Sequence, residues 1–126
     1  VIALGDVRKA ITAALRDVGL NESTGADAVP PAFLVGTFNT RYHATIAGSP
    51  VGMAVAALDV IVIVARADEP SAMEAVDETQ STVWQYIEAI AGPWHTVRVT
   101  GSEMRGDITV GESRYIGVAF AMEFYV

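Results

Sequence analysis

Apolar residues at Val7, Ile11, Ala14, Leu15 and Val18 recur at the i, i+4, i+7 and i+8 spacing of an amphipathic helix, which predicts a helix over 6–18. Asp6 stands where an N-cap belongs, and Gly19 where a left-handed C-cap belongs. Asn21 to Ala28 is polar and turn-forming, and Pro30-Pro31 enforces extended backbone around it. Ala32-Phe33-Leu34-Val35 then reads as a short strand ended by Gly36. Phe38 to Ile46 carries a weaker strand pattern, followed by a loop over 47–52.

The strongest β pattern of the first half runs from Met53 to Ala67. Within it, Leu58 to Val64 is β-branched and apolar at both parities, as in a central strand covered on both sides. Asp68-Glu69-Pro70 ends it. Ser71 and Glu74 have the spacing of a capping box. From there Met73, Val76, Gln80, Val83, Ile87 and Ile90 keep one helical face to the stop at Gly92-Pro93. This predicts a helix over 71–91, with a bend near Gln80-Ser81-Thr82 as the alternative to a straight run, because the face loses its apolar residue there.

Beyond Trp94 the pattern alternates. Val97 and Val99 mark a strand ending before Gly101; Ile108 and Val110 mark another, with Gly111-Glu112-Ser113 as a turn. Last, Ile116, Val118, Phe120, Met122, Phe124 and Val126 share one face, while Gly117, Ala119, Ala121, Glu123 and Tyr125 share the other. The order predicts an α+β fold: one domain over 1–126, with two helices packed on one face of a mostly antiparallel sheet.

Composition adds a second clue. The chain is 52% hydrophobic, and 20 Ala and 17 Val supply much of that. Only 18% of its 126 residues are charged, below the ~25% of a typical soluble domain. So thin a charged coat implies surface hidden in an assembly. Net charge −7, from 8 Lys+Arg against 15 Asp+Glu, argues against a cationic nucleic-acid binder. No Cys is present, which removes disulfides, thiolate metal sites and thiol nucleophiles. The uncharged stretch Tyr42 to Leu58 is broken by Gly48, Ser49, Pro50 and Gly52, unlike a membrane span. The opening Val1-Ile2-Ala3-Leu4-Gly5 lacks the cationic start and long apolar run of a signal peptide.

Candidate chemistry is sparse. His43 and His95 lack metal-binding spacing, and Glu74, Asp77, Glu78 and Glu88 read as a solvated helix face. Gly48-Ser49-Pro50-Val51-Gly52 has the composition of a nucleophile elbow in the wrong order. Arg105-Gly106-Asp107 spells an adhesion tripeptide, in a turn region where that composition arises by chance. Asn21-Glu22-Ser23 is a sequon by pattern alone. No catalytic residue, metal ligand or cofactor site is expected. Trp84 and Tyr86 lie off the main helical stripe, as packing residues or as interface aromatics.

The order of segments resembles the tail terminator (minor tail) proteins of long-tailed bacteriophages. Val7-Arg8-Lys9-Ala10-Ile11-Thr12-Ala13-Ala14-Leu15 is similar to the family's opening helix, and Val29-Pro30-Pro31-Ala32-Phe33-Leu34-Val35 to its proline-led first strand. Leu58 to Val64 resembles its central strand. Asp77, Ser81-Thr82-Val83-Trp84 and Ile87-Glu88-Ala89 resemble its helix pair. Val97-Arg98-Val99 through Tyr115-Ile116-Gly117-Val118 resembles its final strands. The family breaks its helix pair with a Gly/Ser-containing stretch, whereas Glu78-Thr79-Gln80-Ser81-Thr82 runs straight through here.

The resemblance implies a structural virion protein, not an enzyme. It would form a hexameric ring that caps the tail tube at the head–tail junction. Its partners would be the tube protein and the head–tail connector or stopper, with DNA only passing through an acidic lumen and no membrane involved. Assembly would take place in the host cytoplasm. The alternatives are another joining protein such as a stopper, the tube subunit itself, or a small ligand-binding α+β domain. Subunit contacts are expected from the two long connections, 40–53 and 102–114, because loops commonly carry binding function. Those connections contribute Arg41, Tyr42, Met53, Arg105, Asp107 and Arg114, with Trp84 as the aromatic anchor. The second is read as a hairpin whose tip lies around Gly106.

Overall fold

The computed structural model describes residues 4–22, 28, 30–42, 54–94 and 96–125. His43, His95, Met53 and the loop expected over 47–52 lie outside the described residues.

Helix α1 spans Leu4–Asp17 and buries Val7, Ile11 and Leu15, the stripe read from the sequence. It starts ahead of Asp6, which therefore sits in the first turn instead of at the cap. There its carboxylate still complements the positive end of the helix. Gly19 takes φ +93° and closes the helix. The Gly19 N–H donates to the Arg16 carbonyl at 3.0 Å and the Leu20 N–H to that of Leu15 at 3.2 Å, the paired bonds of a Schellman cap.

That cap turns the chain onto the sheet. Asn21–Glu22, expected within a loop, forms a short strand β1 parallel to Ala32 and Phe33 of β2 (Ala32–Val35). β3 (Asn39–Tyr42) and β2 both pair antiparallel with the long β4 (Ala54–Arg66), at different positions along the same edge. Arg8 of α1 reaches across to donate to the Gly36 carbonyl at 2.7 Å, with its guanidinium 5.1 Å from the Phe38 ring. It fixes the helix over the end of β2.

The second helical run is not uniformly α-helical. α2 (Ala72–Glu78) passes into a π-helical segment over Thr79–Val83 and then into α3 (Trp84–Glu88). Ser81 Oγ donates to the Asp77 carbonyl and Thr82 Oγ1 to that of Glu78, both at 2.8 Å. Such back-bonding from adjacent hydroxyls is a recognised cause of helix bending. The departure from α-helix falls where the apolar face lapses.

Three local expectations are corrected here. Ser71 is the N-cap of α2, yet its side chain makes no capping bond. Its backbone (φ −92°, ψ 9°) continues the preceding turn, outside the extended region from which a capping hydroxyl works. Met73 is 51% exposed and Ala72 takes its place in the core, while Thr79 is buried ahead of Gln80. Regular helix stops at Glu88, short of 91, although Ile90 still packs inward.

β5 (Thr96–Val110) and β6 (Ser113–Tyr125) form one long hairpin closed by Gly111-Glu112. Gly111 takes φ +61°, the positive value that a two-residue hairpin turn needs at its first central position. Two strands were expected where β5 runs unbroken. Gly101 and Gly106 interrupt the side-chain pattern, but they sit at register shifts (Val99/Gly101 and Arg105/Ile108) that the ladder with β6 absorbs.

The fold is α+β: a mostly antiparallel sheet in the order β1-β2-β4-β6-β5, with β3 also on β4 and both helical runs on one face. Ile116, Val118, Phe120, Met122 and Phe124 of β6 join Leu58, Val60 and Val62 of β4 beneath Val7, Ile11, Val76 and Ile87. Each of these side chains contributes on the order of 1.5–3 kcal/mol by leaving water. Trp94 seals the end of the core edge-on to Phe124 at 4.7 Å. Among the described residues the opposite face is covered at one end, where Ala28, Ala32, Ile63, Val110 and Tyr115 form a second cluster. The expectation of a β4 covered on both sides thus holds near Ile63 and fails at Asp59, whose side chain is 52% exposed.

Candidate interface: the free edge strand and the open sheet face

β5 is the last strand of the sheet, and no described strand pairs with its outer side. From Thr96 to Asp107 every residue is exposed except Val97 and Val99, which are half-buried against the helices. A strand edge offers a row of backbone donors and acceptors to any extended segment. Such edges are commonly restrained by charges and bulges. β5 carries both, in Arg98, Glu103, Arg105 and Asp107 and in its two register shifts. They make pairing selective instead of indiscriminate.

Pairing with β6 sets which face each β5 side chain uses. Glu103 and Arg105 lie opposite Ala119 and Gly117, so they stand on the open face; Ser102 and Met104 lie opposite Phe120 and Val118, on the helix side. On the open face Arg105 Nη2 is 2.7 Å from Glu103 Oε1 and 3.9 Å from Asp59 Oδ2. These charges border a shallow depression of about 320 Å³ floored by Ala119 and Ala121. The floor is flat because the middle strand carries only small side chains there. Gly117 is fixed by contact: a Cβ at this position would lie 2.4 Å from the Val62 carbonyl oxygen and 2.8 Å from Ile108 Cδ1.

On the helix side, the bulge after Val99 faces the π-helical segment. Gln80 Nε2 donates to Ser102 Oγ at 3.5 Å, and the Val99 N–H donates to Glu88 Oε2 at 3.1 Å. Trp84, 37% exposed, lines the notch between them, and Tyr86 is 63% exposed. Glu88 thus serves the edge strand, instead of the solvated helix face expected for it.

The residues singled out in the sequence divide among several places. Arg105 stands on the open face and Trp84 on the helix side, so the sheet separates them. Asp107 and Arg114 pair with each other at 2.8 Å near the hairpin end. Arg41 and Tyr42 belong to β3, with backbone paired to Val55 and Ala54. The 102–114 connection is strand for most of its length, and the hairpin tip is Gly111-Glu112, not Gly106. Arg105-Gly106-Asp107 is accordingly part of a strand and not of a turn. Sequence reasoning passed over Asp59, Glu103 and Met104; a single charge inside the apolar run of β4 was the available signal for an open face.

Among the described residues, no group of three His, Cys, Asp or Glu side chains is placed to hold a metal ion. No described helix is long and apolar enough to cross a membrane. No protein-family model matches the chain, and no curated protein is found similar to it.

Proposed function

We propose that the chain is the subunit of a tail-terminator ring, a structural virion protein that acts by binding and not by catalysis. Six copies close on the last ring of the tail tube, halt its growth and present the surface joined by the head–tail connector or stopper. The observation that supports this reading is β5, a 15-residue edge strand whose outer side no described strand pairs with. In a closed ring each such edge is covered by a neighbour, and no open edge is left to template further growth. The thin charged coat, 18% of residues, is in keeping with surface that assembly buries. With net charge −7 the subunit repels DNA phosphates, so a genome passes the lumen without adhering.

The test is tube capping. Purified protein added to growing tail tubes is expected to sit on one end, as six-fold rings, and to stop elongation. Unhindered elongation with bare tube ends overturns the reading. Polymerisation of the chain itself into tubes transfers it to the tube subunit.

A further inference from the structure

We infer that the free subunit pairs with a second copy of itself, β5 against β5, about a two-fold axis at Met104. The Val99 N–H points off the sheet edge, since it meets Glu88 of the flanking helix. Val99, Ser102 and Met104 lie opposite Met122, Phe120 and Val118, alternate residues of the unbroken strand β6. Ladder alternation therefore turns the backbone groups of Ser102 and Met104 outward as well. Between the two register shifts, Gly101–Arg105 is the regular stretch available to another strand.

Charge selects the register. Antiparallel self-pairing about a two-fold axis places residues opposite one another symmetrically about one central residue. Centring on Glu103 or Arg105 sets like charges face to face, which destabilises a strand pair. Centring on Ser102 brings no opposite charges together within the regular stretch. Centring on Met104 places Glu103 opposite the second copy's Arg105, and Arg105 opposite its Glu103. Both side chains are on the open face and solvent-accessible, at 65% and 46% exposed, so the Glu103–Arg105 ion pair within each copy exchanges for two across the axis. Met104, 46% exposed at the edge, is then covered by its own copy. An exposed methionine and an alternating charge pair thus find the same occupant. The pairing concerns the free subunit and does not depend on the ring; a ring closed through β5 forms only after this pair opens.

The experiment uses the absence of cysteine. In Met104→Cys the only possible disulfide is between two copies, and opposed residues of an antiparallel pair have a Cα separation that a disulfide spans. The expected result is a covalent dimer on mild oxidation in dilute solution. Adding Glu103→Arg or Arg105→Glu lowers its yield about tenfold, and the two reversals together restore it. Circular dichroism of each exposed-site variant verifies the fold. No covalent dimer from a folded Met104→Cys protein overturns the inference, as does a yield that ignores the single reversals or is not restored by the double one. Neither outcome bears on tube capping, which is read on the unaltered chain.

Discussion

Glu88, at the end of α3, accepts the outward N–H of Val99 on β5 at 3.1 Å. One helical carboxylate thereby occupies a position on the sheet edge that an incoming strand's carbonyl would take. Replacing Glu88 by Ala is expected to change global stability by less than about 1 kcal/mol, because the bond is exposed. The readout is local: hydrogen exchange at the Val99 amide should accelerate while core amides of β4 and β6 keep their rates. Unchanged exchange at Val99 would show that the bond does not persist in solution.

Gly117 pairs with Ile63 of β4 beside the register shift in that ladder, and any side chain there meets backbone. Gly117→Ala is expected to destabilise the fold by at least about 2 kcal/mol, since the carbonyl of Val62 cannot step aside as a side-chain tip can. Denaturant unfolding measures it. Gly101→Ala is the control, with open space around the added methyl and an expected change within about 1 kcal/mol.

Tyr115 donates its buried hydroxyl to the Ala28 carbonyl at 3.1 Å, joining residues 87 apart in the chain. Tyr115→Phe keeps the ring and loses the bond, at a cost of about 0.5–1.5 kcal/mol. Thermal unfolding should shift down by a few degrees, on the order of 2–8 °C. An unchanged midpoint would mean that the second cluster holds by packing alone.

The π-helical segment of the second helical run coincides with the back-bonds of Ser81 and Thr82. Replacing both by Ala removes the two back-bonds to Asp77 and Glu78. Helical content measured by circular dichroism is expected to rise slightly, because regular α-helix then competes without opposition. A fall in helical content would assign the π-helical segment to tertiary packing.

Much of this architecture was legible in the chain. β6 was clear because its two-residue period runs without interruption from Ile116 to Phe124, and α1 because its stripe is bounded by Gly19. β5 was not. Gly101 and Gly106 are turn residues by local preference, and only the ladder with β6 keeps the strand continuous through them. The misplaced hairpin tip follows from the same cause. Glu88 was hidden for another reason: a charge on a helix face does not reveal which strand the helix lies beside. The candidate interface is thus a product of long-range pairing, which residue spacing along one segment does not encode.

Particle imaging with sedimentation of the unaltered protein tests the proposed ring without any substitution. Closed six-fold rings are expected at high concentration or on tube ends, in exchange with smaller species on dilution. A protein that shows no six-subunit species, alone or with tubes, at any concentration would contradict it.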